Sequence, residues 1–147
     1  MKLIEIKTIL NKLKGIDKSS IPFDFFLLLE QNIFELTKYN SLFENIEKEL
    51  YLLEYKEFDS KKVNIIKKYS RDEEKVDIPK DKKVYVEKEI KELESEYRVT
   101  IKEQDERIVK YENMLSKDVK IDLVYIDIND FPDSLIEKFE ILEFMVN

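Results

Sequence analysis

The feature that most constrains this chain is a long run of apolar residues spaced three or four positions apart. Such spacing keeps the apolar side chains on one side of an α-helix and is close to a coiled-coil seam. With one glycine and three prolines, the chain has few positions for the tight turns that an all-β fold needs. We therefore expect a mainly α fold whose first long helix covers residues 22–58. Its seam is Phe26, Leu29, Ile33, Leu36, the polar Asn40, Phe43, Ile46 or Glu47, Leu50 and Leu53.

A second periodic stretch covers residues 85–115, and its remaining faces are almost entirely charged. We predict a second long amphipathic helix here, packed antiparallel to the first. A short helix near 60–69 is expected to lie between them. The second seam is Ile90, Leu93, Tyr97, Ile101, Gln104, Ile108, Tyr111 and Leu115.

Shorter elements complete the predicted fold. Residues 2–14 suit an amphipathic helix capped by Gly15 in the left-handed region, although residues 3–6 would also suit a short strand. Residues 70–82 are polar and predict an exposed charged loop, with a hairpin pairing 75–78 to 83–86 as the alternative. Residues 119–126 alternate in polarity, which is typical of a strand. We expect this strand to pair with the N-terminal segment or with residues 75–86, forming a small β patch.

Length and charge limit the classes of partner. A chain of 147 residues predicts a single domain over residues 1–147. The formal net charge of −7 repels phosphates and anionic lipid, and the lysines do not cluster. We therefore predict no direct binding of nucleic acid and no membrane association. The longest apolar run, Phe25 to Leu29, is far shorter than a membrane span, and residues 1–15 do not form a signal peptide. The expected location is the cytoplasm.

Residue types that carry common chemistry are missing. The sequence has no cysteine and no histidine, so thiolate zinc sites and imidazole bases are excluded. One glycine cannot build a glycine-rich phosphate loop. The cluster Asp127, Asn129, Asp130 and Asp133 departs from a calcium loop, because Phe131 and Pro132 hold its fifth and sixth positions. We interpret these residues as turn formers and helix caps, and predict no catalytic residue, no cofactor and no metal.

Two groups of residues remain as candidate interaction sites. Surplus aromatic side chains on the first long helix predict a partner surface around Tyr39, Tyr51 and Tyr55. The second long helix carries a candidate acidic face made of Glu89, Glu92, Glu96 and Glu103. This face is most simply a solvated helix surface, and the sharper hypothesis is mimicry of nucleic-acid charge.

The order of these patterns resembles a family of short bacteriophage or prophage proteins of unknown function. The resemblance lies in a short amphipathic start, a helix of the type NIFELTKYNSLFENIEKELYLLEY, and the passage YENMLSKDVKIDLVYI into a strand. The segment DINDFPDSL then leads to a final helix ending in EFMV. The resemblance implies a phage or prophage origin, and it supplies no catalytic residues that could be carried over to this chain.

Three hypotheses for function follow from these patterns. The first is an accessory or assembly protein that binds a phage or host protein. This hypothesis includes a homo-oligomer formed through the apolar helix faces. The second is an acidic inhibitor of a host defence nuclease or of another nucleic-acid-binding protein. The third, an enzyme, is the least compatible with the composition.

Overall fold

A computed structural model describes residues 1–147 and shows a mainly helical protein with seven α-helices and no sheet. Three short 3₁₀ helices flank the last α-helix, at Ile128–Asp130, Asp133–Lys138 and Glu143–Met145. No helix is both long enough and apolar enough to span a lipid bilayer. The α-helices are α1 (Leu3–Leu13), α2 (Phe23–Thr37), α3 (Asn40–Leu50), α4 (Leu53–Tyr69), α5 (Lys83–Glu96), α6 (Arg98–Leu115) and α7 (Phe139–Leu142).

The chain divides into two compact units. Unit 1 contains residues 1–46 and 112–147, and unit 2 contains residues 47–111. Both points at which the chain passes from one unit to the other lie inside helices, α3 and α6. The single domain predicted over residues 1–147 requires that both units unfold together, and this stays a prediction.

The prediction of two uninterrupted long helices is wrong. The first is divided into α2, α3 and the beginning of α4, while the short helix near 60–69 is the second half of α4. The breaks lie at Lys38–Tyr39 and at Tyr51–Leu52. Neither break contains glycine or proline, the residues that usually mark a helix end in the sequence. The apolar spacing also continues through both breaks, so no local signal predicts them. Asn40 is the first residue of α3, and not a polar position within a continuous seam.

The second predicted helix is divided into α5 and α6 at a single residue, Tyr97. Tyr97 has φ −98° and ψ 17°, away from helical values, yet its backbone keeps both helical hydrogen bonds. Its N–H donates to Leu93 O at 3.0 Å, and its carbonyl accepts from the N–H of Ile101 at 2.9 Å. Tyr97 therefore departs from helical geometry while keeping both of its own helical hydrogen bonds.

Unit 1 is organised around α1 and α2. The predicted amphipathic helix at the N-terminus is confirmed, which excludes the alternative of a strand at residues 3–6. Gly15 does not have a positive φ, so the predicted left-handed cap is wrong. Phe131 lies edge-on to Phe25 of α2 and to Phe139 of α7, with ring centroids 5.6 and 5.2 Å apart. The buried apolar side chains of this core include Leu3, Ile6, Leu10, Leu13, Phe25, Leu29, Leu36, Leu135, Leu142 and Met145.

Unit 2 is built on an antiparallel pair, α4 and α5. At one end Tyr69 stacks on Tyr85, and at the other Phe58 contacts Tyr97, with ring centroids 6.5 and 5.6 Å apart. Phe58, Val86 and Leu93 are buried. Residues 70–82 connect the two helices without helix or strand, which confirms the predicted loop. The hairpin alternative is excluded because residues 83–86 are the first turn of α5.

Residues 119–126 form no sheet, so the predicted β patch is wrong. Isolated bridges lie close to both ends of the segment, from Lys2 to Asp118 and from Ile126 to Val146. Between them a side chain replaces a strand. The buried amide of Asn32 in α2 donates to Val124 O at 2.8 Å and accepts from Val124 N–H at 2.7 Å. One carboxamide thus supplies both bonds that a neighbouring strand would have made.

Candidate interaction surfaces

The three tyrosines predicted as a partner surface are not all together. Tyr51 and Tyr55 stack with ring centroids 6.2 Å apart, and Tyr55 in turn contacts the buried Phe58 at 5.6 Å. They form the outer end of the aromatic cluster of unit 2. Burial raises the pKa of Tyr55, with a smaller contribution from the carboxylate of Asp59. Tyr39 lies between α2 and α3 and belongs to unit 1.

The predicted acidic face is broken into parts. Glu89 is bound to Lys68 and to the hydroxyl of Tyr69, both at 3.0 Å. These hydrogen bonds, that of Lys68 first, hold the pKa of Glu89 below its ordinary value of 4.5. Glu92 and Glu96 are exposed on α5. Glu103 lies on the next helix, α6, beyond the break at Tyr97. The negative charge of Glu89 is therefore already paired with Lys68 within the protein.

The excess of negative charge lies in the last part of the chain. Residues 112–147 contain nine Asp or Glu residues and only three lysines. Six of these acidic residues follow one another through the 3₁₀ helices, and all are exposed: Asp127, Asp130, Asp133, Glu137, Glu140 and Glu143. Helical periodicity predicted the acidic face on the second long helix. A count of charged residues along the chain identifies the segment 112–147 instead.

The cluster around Asp127 acts as predicted in forming a turn. The carboxylate of Asp127 accepts hydrogen bonds from the backbone N–H and from the side-chain amide of Asn129, at 2.8 and 2.7 Å. It thereby caps the 3₁₀ helix Ile128–Asp130. No group of three or more acidic side chains in the protein is arranged to hold a metal ion.

Three exposed apolar side chains lie together on α2. The outer face of α2 consists of Phe23, Leu27 and Phe34, which lie on one side of the helix at spacings of four and seven. Their side chains are 69%, 47% and 66% exposed. Nine of the fifteen residues of α2 are apolar, and unit 1 buries only the opposite side, at Phe25, Leu29, Asn32 and Leu36. For Phe23 and Phe34, helical spacing favours the core over a binding groove, because spacing alone does not distinguish the two sides of a helix.

A groove adjoins the outer face of α2. It has a volume of about 590 Å³ and lies between α2 and the segment containing Val124. Two of its carboxylates already have partners, since Glu30 pairs with Lys18 at 2.6 Å and Glu35 pairs with Lys38. The lining residues are Leu27, Glu30, Gln31, Phe34, Glu35, Asp122 and Val124. The groove offers apolar contact together with carboxylates.

A second buried amide organises unit 2. Gln104 of α6 is fully buried and holds the break between α3 and α4. Its Oε1 accepts from Leu52 N–H at 2.8 Å, and its Nε2 donates to Leu50 O at 3.0 Å. A helix end leaves carbonyls unpaired and a helix start leaves N–H groups unpaired, so one amide satisfies one group of each kind.

Comparisons with family models, with curated proteins and with solved structures find no significant match to this chain.

Proposed function

We propose that this chain is a phage-derived accessory or assembly protein that acts by binding another protein and catalyses no reaction. The observation that carries the proposal is the outer face of α2, where Phe23, Leu27 and Phe34 are exposed together. Contiguous apolar patches on a protein surface mark interaction sites, and aromatic residues are enriched at their centres. The proposed location is the cytoplasm of the host cell.

The composition of α2 supports this function. A helix that is apolar on most of its sides is ordinarily covered on most of its sides. Covering the exposed parts of Phe23, Leu27 and Phe34 would contribute about 3–5 kcal/mol, at about 1.5–3 kcal/mol for a fully buried side chain. Association costs at least about 4 kcal/mol, so a stable complex must include further contacts. The adjoining groove supplies room for them.

The experiment compares the tagged protein with two matched double variants. Phe23→Ser with Phe34→Ser removes the outer face of α2, and Val84→Ser with Val99→Ser removes two exposed apolar side chains of unit 2. Each protein is used as bait in extracts of prophage-bearing host cells, and captured proteins are quantified by mass spectrometry. We expect one or a few partners that the wild type and the control retain and the first variant loses.

The identity of the captured protein decides between the roles. A phage structural protein supports assembly, and a host nuclease or other defence protein supports inhibition. If only the bait is recovered, light scattering must show that the wild type self-associates and that the first variant does not. A partner retained equally by all three proteins would contradict binding through α2.

A second function is favoured by the distribution of charge. The acidic segment 127–143 carries six exposed carboxylates and one lysine, Lys138. Lys138 is held by Asp17 O at 3.1 Å and by the Ser20 hydroxyl at 2.7 Å. An inhibitor that imitates nucleic acid would use this segment in preference to Glu89, Glu92, Glu96 and Glu103. Its binding to a basic protein would weaken steeply between 50 and 500 mM salt, whereas binding through α2 would change little.

A further inference from the structure

The segment 119–126 has an unpaired edge, and we propose that residues 121–125 accept an extended strand from another protein. In an extended chain, the N–H and C=O of one residue point to the same edge, and successive residues point to opposite edges. The sequence of this segment has the alternation of a strand, yet the structure gives it no neighbouring strand. Unlike the outer face of α2, this edge would bind through main-chain groups.

The inner edge belongs to even-numbered residues and is used at its far end, by Val124 and Ile126. The main-chain groups of Lys120 and Asp122 bond to no protein group. Val124 exchanges both of its main-chain groups with the amide of Asn32. Ile126 N–H donates to Met145 O at 3.0 Å, and Ile126 O accepts from Asn147 N–H at 2.8 Å. From Val124 onward, the inner edge therefore has the bonding of a strand with neighbours.

The outer edge belongs to odd-numbered residues and is used only at its start. Val119 N–H donates to Met1 O at 2.9 Å, and Val119 O accepts from the N-terminal amine at 3.4 Å. The main-chain groups of Ile121, Leu123 and Tyr125 bond to no protein group. No residue between 116 and 130 is buried, so this edge lies on the surface. Three N–H and three C=O groups are thus open over about 13 Å, at 3.3 Å per residue.

The chemistry of this edge selects its occupant. A row of alternating donors and acceptors is complemented by the backbone of an extended strand, as in other cases of strand addition to a sheet edge. Lys120 and Asp122 flank Ile121, and their charged groups lie 4.0 Å apart with side chains 91% and 81% exposed. An ion pair this exposed contributes little to stability, so both side chains can re-pair with an incoming strand. An incoming antiparallel strand is therefore favoured when it places an acidic residue opposite Lys120 and a basic residue opposite Asp122.

A second copy of this chain is the less suitable occupant. Unit 1, which carries the edge, has fifteen acidic residues and nine basic residues. Two such units would repel each other at the short distance that strand pairing requires. A strand from a different protein, without that excess of negative charge, avoids the repulsion.

The test uses capped synthetic heptapeptides and the full chain. In the matching peptide, valines alternate with polar residues, with a lysine opposite Asp122 and a glutamate opposite Lys120 in the antiparallel register. A second peptide has the lysine and glutamate exchanged. Amide exchange is followed by NMR with and without each peptide. We expect fast exchange at Ile121, Leu123 and Tyr125 in the free protein, and protection of these three amides by the matching peptide.

Substitutions separate the backbone from the side chain. Ile121→Pro removes an N–H that has no partner within the protein, so the fold persists while binding weakens at least about tenfold. Ile121→Ala keeps the N–H and shortens the side chain, and it should bind nearly as well as the wild type. The peptide with exchanged charges should bind about five times more weakly than the matching one.

Several outcomes would overturn the proposal. These are slow exchange of the three amides in the free protein, absence of binding by the matching peptide, or equal binding by Ile121→Pro and the wild type. Protection that appears without peptide as the protein concentration rises would assign the edge to a second copy. Each of these results leaves the proposed role of the α2 outer face unaffected, because that role is tested by variants at Phe23 and Phe34.

Discussion

Replacing Gln104 by methionine should destabilise the protein strongly, although the two side chains have similar size and helix propensity. Gln104 is fully buried, and its amide binds Leu52 N–H and Leu50 O. Methionine keeps the volume but leaves one donor and one acceptor without partners. Each buried polar group left unpaired costs about 1–3 kcal/mol. These backbone groups are only partly buried and can recover some bonding to water, so we expect a total loss of about 2–4 kcal/mol.

The assay is chemical and thermal unfolding of Gln104→Met beside the wild type. For a chain of this size, 2–4 kcal/mol corresponds to a decrease in Tm of about 6–16 °C. Gln31→Met is the matched control, because Gln31 is exposed on α2 and its replacement should change stability by less than about 0.5 kcal/mol. Surface substitutions usually change the free energy of unfolding by less than about 0.5 kcal/mol. If Gln104→Met changes it by no more than that, the amide does not hold the break between α3 and α4.

The pH dependence of stability should depend on Glu89, whose pKa is lowered chiefly by Lys68. A carboxylate with a lowered pKa stabilises the folded state above its unfolded value, and the contribution disappears as pH falls through the lowered folded value. Glu89→Gln should therefore have a lower Tm than the wild type at pH 7, with the difference vanishing well below pH 4.5; a constant difference across this range would contradict the assignment. Residues 1–147 should unfold in one transition with equal calorimetric and van't Hoff enthalpies, and two separate transitions would show that units 1 and 2 are independent domains.

The helical class could be predicted from the sequence because it depends on spacing and composition. Four apolar residues of α1 recur at three and four positions, and all four are buried. Residues 70–82 combine high polarity with Pro79, and they form a loop. These elements are decided locally, so a pattern in a single sequence is sufficient.

The break between α3 and α4 could not be predicted, because a residue distant in the sequence binds its backbone groups. Gln104 occupies a seam position in the sequence, but it binds backbone groups of residues more than fifty positions earlier. The predicted strand at residues 119–126 fails for a similar reason. Asn32, which lies in a helix, makes the two hydrogen bonds to Val124 that a neighbouring strand would have made. For Gln104, a polar residue at a seam position was the available signal, although it did not reveal the partner.

The candidate surfaces were predicted less well than the fold. Tyr51 and Tyr55 do lie together, but Glu89 is engaged with Lys68. Spacing does not separate the exposed Phe23 and Phe34 from the buried Phe25, because apolar residues surround α2 on nearly every side. Which side remains exposed depends on where α1 and the 3₁₀ helices pack, and those contacts join residues far apart in the chain.

The division of the chain has a consequence for protein synthesis. Unit 2 is continuous, whereas unit 1 requires residues 112–147 to complete a core that α1 and α2 begin. At 5–20 residues per second, a ribosome needs roughly 3–13 seconds to make residues 47–111. During that interval Leu29 and Leu36, which are fully buried in the finished protein, have no complete core to enter. A nascent chain therefore carries the whole apolar circumference of α2 in the open, where chaperones and premature partners compete for it.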